Sequence, residues 1–144
     1  GKQLGGGGRD KRRAGVPLFA FSGYRSYDTQ RQLYLNRITI GERHRQMYVA
    51  RPGHTEHQLG TVVDVVGTDT TRAAMLSFDN TPEARWLREH CYDYGFVLSY
   101  GADNTQATGY GAESWHIRYV GPSNVRAWVR GHLAPAHPVR KRFN

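Results

Sequence analysis

The chain has 144 residues, of which 38% are hydrophobic and 12% aromatic, so it suits one domain with one core and is too apolar for a disordered chain. One cysteine excludes an internal disulfide and restricts any metal site to histidine and carboxylate ligands. A formal net charge of +8 predicts attraction to anionic surfaces such as nucleic acid or bacterial wall polymers, and no apolar run is long enough to cross a membrane.

The N-terminal part is predicted to contain a lead-in, a strand and a helix. Residues 1–13 combine a glycine run with a basic stretch and predict a flexible segment, so we expect a single folded domain over residues 14–144. Residues 16–21 form a short apolar run that predicts a strand. Ser26 is a suitable N-cap for a helix running to about Ile38, because its hydroxyl can accept a hydrogen bond from the first turn.

The rest of the chain mixes strands and helices without a regular β-α-β alternation or an internal repeat. Thr81-Pro82-Glu83 combines a cap, a proline and an acid, which predicts a helix start. The helix that starts at Thr81 is predicted to end at Gly95. We also predict strands at 61–66, 96–98 and 115–120 and a last helix from about Ser123. This arrangement indicates the α+β class.

Asp64 is the first candidate for chemistry, because a lone aspartate among valines is costly to bury. It requires a cation, a set of hydrogen bonds or an exposed strand face. His57 lies seven residues earlier, and Gly60 between them allows the chain to turn so that both side chains face one point. Imidazole and carboxylate are good zinc ligands, but a catalytic zinc usually takes three protein ligands and leaves one position for water.

Glu113 and His116 are the second candidate pair. A glutamate near a metal-binding histidine can act as general base toward a metal-bound water. Residues three apart point to opposite faces of a strand, so we expect a bend between them, which Gly109 and Gly111 would permit. Taken alone, the pair is a weak signal, since His116 could be a core residue and Glu113 a surface acid in a loop.

Three ordered segments resemble the VanY-type D-alanyl-D-alanine carboxypeptidases, part of a group that includes lysostaphin-type peptidases and hedgehog domains. Together they are far more specific than any single motif. The segments are Ser22-Gly23-Tyr24-Arg25-Ser26 followed by Gln30, Thr55 to Asp64, and Glu113-Ser114-Trp115-His116. The resemblance implies a small antiparallel sheet that carries a zinc site and is flanked by helices.

The resemblance also implies a role for individual residues. One catalytic zinc ion would be held by His57, Asp64 and His116. Glu113 would be the catalytic base, and Arg25 would bind substrate or stabilise the oxyanion. Further substrate-contacting positions would be Gln30, Thr55 and Tyr100, and Thr55 keeps the hydroxyl of the family's serine. Apart from the resemblance, we expect Trp115 at the substrate site as a pocket wall or core residue more than as a specific contact.

The implied activity is a zinc-dependent D,D-carboxypeptidase that removes the terminal D-Ala from peptidoglycan stem peptides, at the bacterial wall or envelope outside the cytoplasm. An L,D-carboxypeptidase and a peptidoglycan endopeptidase would use the same zinc site and remain open. A non-catalytic zinc- or wall-binding module is disfavoured by the intact Glu113. A nucleic-acid binder is suggested only by the net charge and lacks a recognised motif, so we expect no nucleic-acid partner.

Overall fold

A computed structural model of the protein describes residues 16–39 and 49–132. The predicted flexible segment at 1–13 lies outside these residues. In the described part no helix combines the length and the apolar composition needed to span a membrane. The helices and strands in chain order are β1 Phe19–Ser22, α1 Tyr27–Thr39, β2 Val62–Val66, α2 Arg72–Leu76, α3 Pro82–His90, β3 Phe96–Leu98, α4 Thr105–Thr108, β4 His116–Tyr119 and α5 Val125–His132.

The four strands form one antiparallel sheet in the order β1-β2-β4-β3. Because β2 lies centrally, its residues pair with both neighbours: Asp64 is opposite His116 of β4 and opposite Ser22 of β1. The sheet therefore brings together residues that are 42 and 52 positions apart in sequence. The predicted α+β class with a small antiparallel sheet is confirmed.

Helix α3 and the segment before it pack against the sheet and form the core. Val65, Val97 and Ile117 come from three strands and are at most 2% exposed, and Phe78 and Leu87 belong to the same apolar cluster. Burying apolar area of this kind is the main favourable term in folding. Every residue of β2 is buried or half-buried, including Asp64 at 5% exposure, so the alternative of a water-facing strand at Asp64 is wrong.

Helix α3 begins as its sequence predicts, but it ends earlier. Thr81 is the N-cap and Pro82 occupies the first turn. The α-helix stops at His90, and a 3₁₀ turn over Cys91–Tyr94 carries the chain on to Gly95, which has a φ of +81°. A Cβ at Gly95 would also come within 3.0 Å of Pro122 and Tyr119, so glycine is required here by both conformation and space.

The cap of α3 gives a testable stability prediction. The Thr81 hydroxyl accepts from Ala84 N at 3.1 Å and donates to the Phe78 carbonyl at 2.7 Å. Thr81→Ala should lower the free energy of unfolding in urea by about 1 kcal/mol, because an N-terminal amide loses its acceptor. Thr81→Ser keeps the hydroxyl and should cost much less; equal losses for the two variants would contradict the capping role.

Candidate metal centre and active site

Three buried side chains converge from different parts of the chain. His57 lies in a 3₁₀ turn over Glu56–Leu59, Asp64 on β2 and His116 on β4. Each offers one ligand atom, and these atoms all lie within 4.8 Å of one another. His57 Nε2 is 3.3 Å from Asp64 Oδ2, and His116 Nδ1 is 3.1 Å from Asp64 Oδ1. None of the three residues is more than 5% exposed.

The turn that carries His57 is fixed at both ends. The Thr55 hydroxyl accepts a hydrogen bond from His57 N at 3.3 Å, and Gly60 closes the turn with a φ of +70°. Nδ1 of His57 lies 2.7 Å from the carbonyl oxygen of Gly23. Since a carbonyl oxygen only accepts, Nδ1 must carry a proton, and Nε2 is the ring nitrogen that faces Asp64.

Asp64 is held in its ionised form despite being buried. Burial by itself would raise the pKa of Asp64, but hydrogen bonds from His116 and His57 and the positive charge on these rings lower it from 3.8 to about 2. A carboxylate that stays charged inside a protein requires cationic partners. In the metal-free chain His116, whose pKa is raised, supplies such a partner, and a divalent cation would satisfy the same need.

The donor set fits zinc. Two imidazole nitrogens and one carboxylate oxygen form a usual catalytic zinc set that leaves a fourth position open. Ligands of a tetrahedral zinc, each at about 2.0–2.1 Å, are about 3.3 Å from one another. His57 Nε2 and His116 Nδ1 approach different oxygens of Asp64, at 3.3 and 3.1 Å, and the ligand atoms of the three residues lie within 4.8 Å of one another, so they are close enough to converge on one ion.

Glu113 lies at the edge of the metal cluster. Its Oε2 is 3.7 Å from His116 Nδ1, and its carbonyl accepts from His116 N at 3.3 Å, which closes a turn immediately before β4. The predicted bend between Glu113 and His116 is therefore confirmed. Burial, reinforced by the negative charges of Asp64 and Glu56 and opposed by the positive charges of His116 and Arg25, raises the pKa of Glu113 from 4.5 to about 7.

Arg25 and Gln30 meet at one side of the cluster. Arg25 Nη1 donates to Gln30 Oε1 at 2.8 Å, Arg25 Nη2 donates to Ser22 Oγ at 3.1 Å, and Nη2 lies 4.0 Å from Asp64 Oδ2. Gln30 is 1% exposed and donates to the Ala50 carbonyl at 2.6 Å. Gln30 is thus committed to its protein partners, whereas the Arg25 side chain stays 20% exposed.

All of the site residues predicted from the sequence line one cleft of about 300 Å³. The Tyr100 ring centre is 5.0 Å from that of His116, and Trp115 is 8% exposed. The sequence did not reveal several apolar and basic lining residues, because no motif marks them: Phe21, Leu33, Arg37, Arg72, Met75, Leu76 and Tyr110. Nor did it reveal Glu56, whose only signal is its place directly before His57.

Comparison with known proteins identifies the family. The chain matches the family model of VanY, D-alanyl-D-alanine carboxypeptidase, over residues 8–122. The chain belongs to the VanY family. This confirms the resemblance that the three ordered segments indicated.

Individual proteins of similar sequence or structure support the same assignment. A D-alanyl-D-alanine carboxypeptidase of Enterococcus faecium is 38% identical over 113 residues, covering 78% of this chain and 33% of that protein. The LdcB LD-carboxypeptidase superposes with a TM-score of 0.72 at 32% identity, covering 87% of this chain and 59% of that one. A D,D-pentapeptidase VanY from a VanB-type resistance cassette, solved with Zn(II), gives a TM-score of 0.69 at 28% identity, covering 94% and 76%.

The chain spans 33–54% of the length of the curated relatives that it matches. The similarity therefore concerns the VanY-type domain. Within that domain, the expectation of a zinc cofactor is confirmed by the convergent His-Asp-His group and by the zinc-bound neighbour.

The metal-free chain should lose stability as the pH rises. The pKa of Glu113 is raised from 4.5 to about 7 by burial, and that of His116, although burial lowers it, is raised from 6.5 to about 9 by hydrogen bonds to Asp64 and Glu56. Both folded-state values lie above the ordinary ones, so the folded chain holds extra protons between pH 4.5 and 9. The free energy of unfolding therefore falls across this window.

Urea unfolding in the presence of a chelator, at several pH values, measures this effect. Glu113→Gln removes one titrating group. The loss of unfolding free energy between pH 4.5 and 7 should therefore be smaller than in the wild type by on the order of 1–3 kcal/mol. The His116 part, between pH 6.5 and 9, should remain. Stability that rises with pH in the metal-free wild-type chain would contradict the assigned electrostatics.

Proposed function

We propose that this chain is a zinc-dependent D,D-carboxypeptidase that removes the terminal D-Ala from peptidoglycan stem peptides. The observation that carries the proposal is the placement of Glu113 beside the buried His57–Asp64–His116 group, in a cleft that also contains Arg25. Membership of the VanY family and the D-alanyl-D-alanine carboxypeptidase of Enterococcus faecium support the substrate class.

The proton transfers are assigned to Glu113. Zinc held by His57, Asp64 and His116 would supply Lewis acidity and lower the pKa of a water molecule to about 7. The Glu113 carboxylate accepts a proton from the attacking water and then donates it to the leaving amine of D-Ala. In the metal-free chain, burial raises the pKa of Glu113 to about 7, which favours a carboxyl group that can both accept and donate a proton.

Arg25 is assigned to the terminal carboxylate of the substrate. Its guanidinium presents a planar fork of donors that matches a carboxylate, and Gln30 and Ser22 hold that fork in place. Gln30 acts mainly through Arg25, since its own polar atoms are bonded to the protein. A cation aimed at a free carboxylate favours removal of a C-terminal residue over cleavage within the stem peptide.

Tyr100 and Thr55 complete the proposed site. Burial, reinforced by the carboxylates of Glu56 and Glu113, raises the pKa of the Tyr100 hydroxyl, which therefore stays protonated and can donate to a developing oxyanion. Thr55 caps the turn of His57 and lines the cleft. Trp115 forms part of the cleft wall and of the apolar core.

A second candidate is an L,D-carboxypeptidase that acts on the shorter stem. The observation in its favour is the similarity to the LdcB LD-carboxypeptidase, which at 32% exceeds the 28% identity to the D,D-pentapeptidase VanY. Either activity would place the protein outside the cytoplasm, at the bacterial wall or envelope, whether secreted or anchored through a part outside this chain. The net charge of +8 would favour contact with anionic wall polymers there.

Defined stem peptides separate the two activities. The zinc-loaded chain should release D-alanine from a pentapeptide stem that ends in D-Ala-D-Ala faster than from the matching tetrapeptide stem. Glu113→Gln should lower kcat by about 10²–10⁴-fold while the bound zinc, measured by metal analysis, is unchanged, because the base is lost and the ligands remain.

Faster release from the tetrapeptide would replace the D,D assignment by the L,D one. Release from neither peptide would remove the carboxypeptidase proposal, and a Glu113→Gln variant with undiminished kcat would remove the base assignment.

A further inference from the structure

The two histidines of the cluster are oriented by different groups. His57 is fixed by a backbone carbonyl, that of Gly23, which no substitution removes. His116 instead turns its Nε2 toward a side chain: Nε2 lies 3.0 Å from Oε2 of Glu56, while Nδ1 faces Asp64 at 3.1 Å. The second ring nitrogen of His116 therefore depends on one carboxylate for its partner.

Both carboxylate oxygens of Glu56 accept a hydrogen bond from the protein. Ser99 Oγ donates to Oε2 at 2.6 Å, and Arg118 Nη1 donates to Oε1 at 2.7 Å. Ser99 is 3% exposed, and its carbonyl accepts from the Asn104 side chain at 2.9 Å. With one oxygen bound by Arg118 and the other by Ser99, the carboxylate has a single orientation, and that orientation points Oε2 at His116.

We propose, building on the zinc site of the proposed function, that Glu56 is a positioning residue that keeps the proton of His116 on Nε2 and so presents Nδ1 to the metal. Both nitrogens of His116 face a carboxylate in the metal-free chain, Nδ1 that of Asp64 and Nε2 that of Glu56, and a carboxylate only accepts. A cation bound between Nδ1 and Asp64 would take the place of the Nδ1 proton, and Glu56 would then hold the remaining proton on Nε2. Partners of this kind also fix the ring plane and increase the basicity of the ligand.

Glu56→Gln tests the positioning role, because the amide has one acceptor and one donor end. Arg118 requires an acceptor, so the amide oxygen should face Arg118 and the amide nitrogen should face His116 Nε2. A donor at that place favours the opposite tautomer, with the proton on Nδ1. We expect zinc affinity, measured by competition with a chromophoric chelator, to fall about 10–100-fold.

Asp79→Asn is a matched control. It is the same acid-to-amide change in another ion pair, between Asp79 and Arg88 at 2.6 Å, and neither residue lines the cleft. This variant should retain wild-type zinc affinity. Unchanged affinity in Glu56→Gln, in a chain whose wild type binds zinc and releases D-alanine, would overturn the positioning role and leave the proposed function intact; absence of zinc binding by the wild type would overturn both.

A double variant distinguishes positioning from a merely structural ion pair. Arg118→Met removes the guanidinium that donates to the amide oxygen. In the Glu56→Gln background the amide can then turn that oxygen toward His116. The double variant should then recover part of the lost zinc affinity, and nitrogen-15 spectra of its zinc form should show a protonated Nε2. A structural ion pair predicts no recovery, because the pair is already broken in Glu56→Gln.

Glu56→Asp provides a second variant, should the amide prevent folding. It keeps the charge that Arg118 requires but withdraws the carboxylate by one methylene from His116. Zinc affinity should fall while the urea midpoint of the metal-free chain changes little. Equal affinity to wild type would overturn the proposal by this route as well.

Discussion

The pairing of β2 with β4, which sets Asp64 opposite His116, is the constraint on which the site depends. Directly opposed residues of an antiparallel pair lie close together, so the register alone brings these two ligands into contact. The third ligand, His57, reaches them because its turn is closed by Gly60 and begins at Thr55. A one-residue shift in the register of β2 would turn the Asp64 side chain to the other face of the sheet and separate it from His57 and His116.

The neighbours of Asp64 and Glu113 shift the pKa values of these two acids in opposite directions. Asp64 lies between two imidazoles and has a low pKa, whereas Glu113 is buried with fewer cationic partners and has a raised one. The difference suits a metal ligand that must remain charged and a base that must both accept and donate a proton. Glu56 forms a third environment, fully paired with Ser99, Arg118 and His116.

Much of the fold and of the site could be predicted from the sequence, because the signals are local. The cap at Thr81 and the β-branched run around Asp64 marked their elements, and the family motifs named the ligands. The sequence did not reveal Glu56, since its partners Ser99, His116 and Arg118 lie 43, 60 and 62 residues away and only the folded sheet joins them. The short helix α2, which contributes Arg72 to the cleft, also lacked a periodic pattern.

Anomalous scattering at the zinc absorption edge, measured on a crystal of the zinc-loaded chain, shows whether the metal lies at the His57–Asp64–His116 group. We expect one strong anomalous peak bound by His57 Nε2, a carboxylate oxygen of Asp64 and His116 Nδ1, with Glu113 beside it and not among the ligands. A peak bound through His116 Nε2, or a peak away from these three residues, would contradict this expectation.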